Sequence, residues 1–150
     1  MVFKLRPAGE SDATAIEALV SAAYEKHVAI IGRKPKPMLA NYRCALLQHQ
    51  FWVYERENEL AAVLELIPNE EGYMLLENVA VHPSFQRAGL GQALVAVAER
   101  EAKQHGFFEV RLYTNERFAG NVALYSRLGY RETHREVFQG SNVVHMAKTI

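Results

Sequence analysis

A strand-like run over residues 74–81 gives way, through Gln86-Arg87-Ala88-Gly89-Leu90-Gly91, to a long helical pattern. This stretch constrains the fold more than any other, because it sets a strand, a glycine turn and a helix in close succession. Two glycines at a helix entrance let the backbone come close to a ligand. The first N–H groups of such a helix have no intrahelical partner, and the helix dipole favours negative charge there. The turn therefore suits a phosphate or pyrophosphate.

The flanking sequence supplies the rest of a fold. Residues 2–6 read as a short strand closed by Pro7. Asp12 or Thr14 is placed to cap a helix, Thr14 pairing with Glu17 as a capping box, and Ile16, Leu19, Val20, Ala23 and Tyr24 form one helical face. Two prolines and a glycine between Ile30 and Met38 break that pattern, and a second short helix is expected over 39–48. Strands are expected over 51–55, 60–67 and 73–81, with polar turns at 56–59 and 69–72; Pro83 stops the third. Leu90, Ala93, Leu94, Val97, Ala98 and Ala102 make a helical stripe ending near Gly106. A strand over 107–114, a helix over 120–128 and a hairpin of 130–138 with 143–148 around Gln139-Gly140-Ser141-Asn142 complete the chain. The order β-α-α-β-β-β-α-β-α-β-β calls for a single α+β domain over 1–150, a mixed central sheet flanked by helices.

Composition narrows the partners. At 150 residues the chain has the length of one domain, and 49% apolar residues can support a substantial core. Lys+Arg and Asp+Glu balance at 17 each, so no global field draws in nucleic acid or an anionic membrane. No apolar run is long enough to span a bilayer, and the N-terminus lacks a signal peptide's apolar segment. A cytoplasmic location is the expectation. Cys44 is the sole cysteine, which excludes an internal disulfide framework; flanked by Ala45, Leu46 and Leu47, it is expected to be a small buried hydrophobe. The six histidines show no metal-ligand spacing, so no metal site is expected.

Three glycine-loop chemistries compete. A Walker-type loop needs Gly-Lys-Ser/Thr at its end, whereas Gly91 is followed by Gln92 and Ala93. A dinucleotide fingerprint needs a small third residue where this chain has Leu94, and a place in the first βα unit. The third fits. Gln-x-x-Gly-x-Gly after Asn78-Val79-Ala80-Val81-His82-Pro83 resembles motif A of the GNAT superfamily of N-acetyltransferases. Asn121-Val122-Ala123-Leu124-Tyr125-Ser126-Arg127-Leu128-Gly129-Tyr130 resembles its motif B. The pair, with a helix and a strand between, is far more specific than the glycine loop alone. Arg87 stands where relatives often carry glycine, a small departure because arginine is also common there.

The resemblance implies acetyl-coenzyme A as donor and no covalent enzyme intermediate. Its pyrophosphate is expected over the turn formed by Gln86, Arg87, Ala88, Gly89, Leu90, Gly91 and Gln92. Its pantetheine arm is expected to pair with the backbone of Val79, Ala80 and Val81, where two strands splay apart, with the Val81 amide on the thioester carbonyl and Asn121 on the pantetheine or phosphate region. Tyr125, the motif B tyrosine, is the candidate general acid: a phenol of pKa about 10 protonates a thiolate of conjugate-acid pKa about 8.5 at modest cost. Glu77 is the candidate base for an acceptor ammonium of pKa about 10.4, and period two puts Glu77, Val79 and Val81 on one strand face. Tyr24, His27, Arg33 and Tyr42 are candidates for the acceptor wall, with Lys34 and Lys36 on the same proline-rich loop; Tyr24 also fits the first helix's apolar stripe. The acceptor is expected to be a primary amine of a small molecule, peptide or protein, and a homodimer is possible by analogy. The rival reading is a non-catalytic acyl-coenzyme A-binding or sensing module; a weaker third is a nucleotide-binding module.

Overall fold

The structure is a computed structural model describing residues 3–86 and 88–150, so Met1, Val2 and Arg87 lie outside the described residues. Among the described residues seven strands form one sheet: β1 (Arg6–Pro7), β2 (Gln50–Arg56), β3 (Glu59–Asn69), β4 (Tyr73–Val81), β5 (Glu109–Asn115), β6 (Arg131–Phe138) and β7 (Ser141–Thr149). Four helices cover it: α1 (Ala13–Ile31), α2 (Tyr42–Gln48), α3 (Leu90–Gln104) and α4 (Ala119–Arg127). The spatial order is β1-β2-β3-β4-β5-β7-β6. Every neighbouring pair is antiparallel except β4 and β5, which are parallel and joined through the crossover helix α3.

The core lies in two layers. On one face, Leu90, Leu94, Val95, Ala98 and Ala102 of α3 pack with Leu64, Leu66, Met74, Leu76, Val110 and Leu112 of the sheet. On the other, Ile16, Leu19, Val20 and Ala23 of α1 and Tyr42 of α2 meet Phe51, Val53, Val63 and Ala80. The helical stripes read from the sequence face these layers, with Val95 more buried than Ala93.

Local departures have local causes. Pro7 does not close the first strand but belongs to it, opposite Trp52; the strand is at the sheet edge, where a residue without an N–H is tolerated. Thr14 and Glu17 form no capping box. The helix is entered through a 3-10 turn over Glu10–Asp12, in which the Gly9 N–H donates to Asp12 Oδ2 at 2.9 Å. Gly32, in the left-handed region at φ 74°, ends α1. The second helix starts at Tyr42 rather than 39, because the Asn41 side chain caps it by accepting from the Cys44 N–H at 3.2 Å. Cys44 is exposed, not buried: α2 turns Tyr42 into the core, and two residues on the side chain points away from it. The terminal hairpin closes through Gln139 and Gly140 alone, both at positive φ, so Ser141 and Asn142 already belong to β7. Within the sheet, β7 inserts between β5 and β6 and pairs with both.

Candidate functional site

Strands β4 and β5 share only the pairs Met74–Val110 and Leu75–Arg111. Beyond them the strands part, and a cleft of about 550 Å³ opens between them. Register shows which peptide groups face it. His82 N–H donates to Ala61 O, and Ala80 and Asn78 stand opposite Val63 and Glu65 in the same phase. Bonded pairs alternate in an antiparallel ladder, so the N–H and C=O groups of Val79 and Val81 point away from β3, toward the gap. Both carbonyls have side-chain donors there: the Tyr24 hydroxyl on Val79 O at 3.2 Å and Gln86 Nε2 on Val81 O at 3.2 Å. The motif A glutamine thus bridges turn and strand, and Lys26 Nζ donates to its Oε1 at 3.2 Å.

The β3–β4 ladder slips between Glu65 and Leu66, where Leu66 faces Leu76 but Glu65 faces Asn78. Glu77 is the extra residue of a β-bulge. This overturns the expectation that Glu77, Val79 and Val81 share a face. Met74 and Leu76 pack on the α3 side; after the bulge Val79 and Val81 do so. Glu77 and Asn78 both turn toward α1 and the proline-rich loop.

That turn gathers a polar cluster. The Tyr113 hydroxyl donates to Glu77 Oε1, and Lys36 Nζ lies 3.3 Å from the same oxygen and donates to the Tyr113 oxygen at 2.9 Å. Burial and the Glu77 carboxylate together push the Tyr113 phenol well above its ordinary range. Asn78 accepts from Tyr24 at 2.8 Å and donates to the Tyr42 oxygen at 3.2 Å, while the Tyr42 hydroxyl donates to Pro37 O at 2.5 Å. Behind them, His49 Nδ1 meets the buried Glu65 carboxylate at 2.7 Å, and burial raises the Glu65 pKa. Tyr42 is therefore a core residue that reaches the cleft through Asn78 rather than a lining residue.

At the turn, Gly89 is the N-cap of α3 at φ 82° and brings no side chain to cap it. The first helical bond is Ala93 N–H to Gly89 O at 3.1 Å, so the amides of Leu90, Gly91 and Gln92 stand outside the helical ladder. A Cβ on Gly91 would meet only Leu124 Cδ2, at 3.7 Å, and one on Gly89 nothing within 4 Å. Gly91 is thus not required by packing among the described residues. These features fit an anionic group.

Asn121 and Tyr125 of α4 line the cleft beside Glu77 and Val79. Tyr125 is buried, and burial pushes its phenol up to about 12. Protonating a thiolate of conjugate-acid pKa about 8.5 from that phenol costs about 5 kcal/mol, against about 2 for an ordinary one. Burial makes Tyr125 a dependable hydrogen-bond donor and a costlier acid than the sequence suggests.

Arg33, Lys34, Lys36 and Leu39 form one wall of the cleft, and Phe138 and His145 of the terminal hairpin another. Arg33 ties the walls together, its guanidinium 5.6 Å from the Phe138 ring centre and Nη2 on Phe138 O at 3.4 Å. Tyr24 lines the cleft, whereas His27 stacks on Phe118 at 4.0 Å and burial lowers its pKa. Tyr113 and Asn78, absent from the sequence candidates, complete the constellation. The signal for Tyr113 is its place on β5, the strand that adjoins the glutamate strand; without the sheet order nothing selects it from the other tyrosines. Among the described residues no group of three or more His, Cys, Asp or Glu is arranged to hold a metal ion, and no helix is long and apolar enough to cross a membrane.

Comparison with known proteins gives one consistent result. The family model described as "Acetyltransferase (GNAT) family" matches residues 15–130. N-acetyltransferase family 8 member 3 of Rattus norvegicus is 28% identical over 88 residues, covering 55% of this chain and 39% of that protein. Mycothiol acetyltransferase of Kocuria rhizophila is 38% identical over 63 residues, covering 42% of this chain and 21% of that protein. The chain spans about two fifths or less of the curated relatives it matches. Two solved structures superpose throughout. PaiA N-acetyltransferase from Thermoplasma acidophilum in complex with coenzyme A has TM-score 0.82, 16% identity and 100% coverage of both chains. A GNAT family acetyltransferase from Elizabethkingia anophelis with acetyl-CoA bound has TM-score 0.74, 16% identity and coverage of 99% and 98%. At these identities the likeness is one of fold.

Proposed function

This chain belongs to the acetyltransferase (GNAT) family, and we propose that it moves acetyl from acetyl-coenzyme A to a primary amine of a small molecule or peptide, by direct attack with both substrates in the cleft. The observation that carries this reading is the parting of β4 from β5 with Glu77, Val79, Asn121 and Tyr125 all on the resulting cleft. The relatives that hold coenzyme A or acetyl-coenzyme A support the choice of donor.

Acetyl-coenzyme A supplies the activated acetyl thioester. The residues of this chain do the rest. The amides of Leu90, Gly91 and Gln92 bind the pyrophosphate, with Gln86 holding the turn to β4. The outward N–H groups of Val79 and Val81 orient the pantetheine and the carbonyl to be attacked, where a fixed donor counts most as oxygen gains charge. Glu77 takes the proton that makes the acceptor ammonium nucleophilic. Tyr125 donates to the departing sulfur. Tyr24, through Asn78 and Val79, holds the bulged strand in position.

The test is coenzyme A release over a panel of amines, with Glu77→Gln and Tyr125→Phe alongside. Turnover that both substitutions depress supports the reading. Tight coenzyme A binding without turnover on any amine would sink it in favour of a binding or sensing module. Preference for ATP or NAD over coenzyme A would overturn the choice of donor.

A further inference from the structure

Lys36 stands on a one-turn helix over Lys36–Met38, between Pro35 and Pro37. Its Nζ lies 3.3 Å from Glu77 Oε1, donates to the Tyr113 oxygen at 2.9 Å and sits 5.2 Å from the Tyr113 ring centre. The side chain as a whole is 70% exposed. An exposed ion pair adds little to stability, so stability gives little reason for a long side chain to fold back into the cleft. What the contact does deliver is a primary amine to the carboxylate that deprotonates the acceptor. The flanking prolines fix φ at 35 and 37, which sets the backbone of Lys36 on the wall of the cleft opposite Glu77.

We propose that Lys36 is an internal acetyl acceptor, modified by the chain's own cleft. The inference rests on the acetyltransferase reading above. Glu77 removes one proton from the Lys36 ammonium, and the freed lone pair forms the N–C bond to the acetyl carbonyl. The C–S bond breaks with its electron pair going to sulfur, and the second nitrogen proton ends on that sulfur through Tyr125 or solvent. The products are Nε-acetyl-Lys36, coenzyme A thiol and the proton that Glu77 returns to water. The neutral amide no longer pairs with Glu77, so the modification also releases the carboxylate to an external amine.

The experiment incubates the full chain with acetyl-coenzyme A and follows each lysine by peptide mass mapping, at two protein concentrations. Coenzyme A titration and turnover of external amines are measured beside it. Lys36 is expected to gain acetyl at least about 10²-fold faster than exposed Lys34 or Lys4, the lower end of a general-base contribution, and Glu77→Gln to bring it to their rate. The rate constant is expected to be independent of protein concentration. Equal labelling of Lys36 and Lys34 in a chain that turns over external amines, labelling that grows with protein concentration, or a Lys36 preference that survives Glu77→Gln overturns this inference alone. Coenzyme A binding with neither Lys36 nor any external amine acetylated overturns the acetyltransferase reading as well.

Discussion

The Tyr24 hydroxyl serves two acceptors across the sheet, Asn78 Oδ1 at 2.8 Å and the Val79 carbonyl at 3.2 Å. A side chain on the first helix therefore supports the strand segment that faces the gap. Tyr24→Phe leaves the buried Asn78 carbonyl without its donor, and an unsatisfied buried acceptor costs about 1–3 kcal/mol. The expected outcome is a lower urea midpoint at unchanged slope. A change below about 0.5 kcal/mol would mean that water replaces the hydroxyl.

The two glycines of the turn are expected to separate. Gly89 needs its left-handed φ of 82°, so Gly89→Ala should destabilise the fold by about 1–2 kcal/mol. At Gly91 an alanine fits the helix, meeting Leu124 at an ordinary 3.7 Å. Gly91→Ala should hold or raise the melting temperature while weakening coenzyme A binding, and Gly91→Glu should abolish binding by adding a negative charge to the anion site. Isothermal titration beside thermal melts distinguishes these; unchanged affinity in Gly91→Glu refutes the placement of the pyrophosphate.

Tyr125→Phe should lower kcat more than it weakens coenzyme A binding, because the hydroxyl matters chiefly once charge develops on sulfur. Glu77→Gln should lower kcat by about 10²-fold or more. A loss confined to coenzyme A affinity in Tyr125→Phe would make that ring a packing surface only.

Alkali should unfold this protein sharply. Burial holds the Tyr125 phenol at about 12, and Tyr24, Tyr42, Tyr113 and Tyr130 are raised in the same direction. Below pH 10 both folded and unfolded chains keep these protons, so the group adds no pH dependence. Between about 10 and 12 the unfolded chain loses them and the folded one does not, so stability falls, by about 3 kcal/mol for Tyr125 alone. Denaturant melts from pH 8 to 12 should show a plateau and then a steep decline. A plateau that persists to pH 12 would mean that water reaches these phenols.

The glycine turn and the Asn121 to Tyr130 segment were legible as local structure because each is local. The glycines lie at the start of α3, and Asn121 to Tyr130 runs from α4 into the turn that follows it, so spacing along the chain stays close to spacing in space. The bulge at Glu77 was not legible. Period two, carried through β4, assigns Glu77 the face of Val79, and only the register against Glu65 and Leu66 on β3 shows the slip. The same holds for Tyr113, whose partnership with Glu77 exists because β5 adjoins β4. Cys44 misled for a related reason: its neighbours are apolar, but α2 is too short to bury more than the face that carries Tyr42. The insertion of β7 between β5 and β6 left no trace in a hairpin pattern, since a hairpin specifies one neighbour and not the second.

That insertion has a consequence for how the molecule is made. As the chain emerges during synthesis, β5 arrives with its far edge bare, and β6 follows with no strand to pair with until β7 appears. Bare edges recruit other chains, and segments fold as their partners become available. The wall bearing His145 and Phe138 is therefore the last part of the cleft to assemble. A nascent chain paused before Ser141 carries the complete glycine turn yet presents an open sheet edge, the interval in which this protein is most exposed to aggregation.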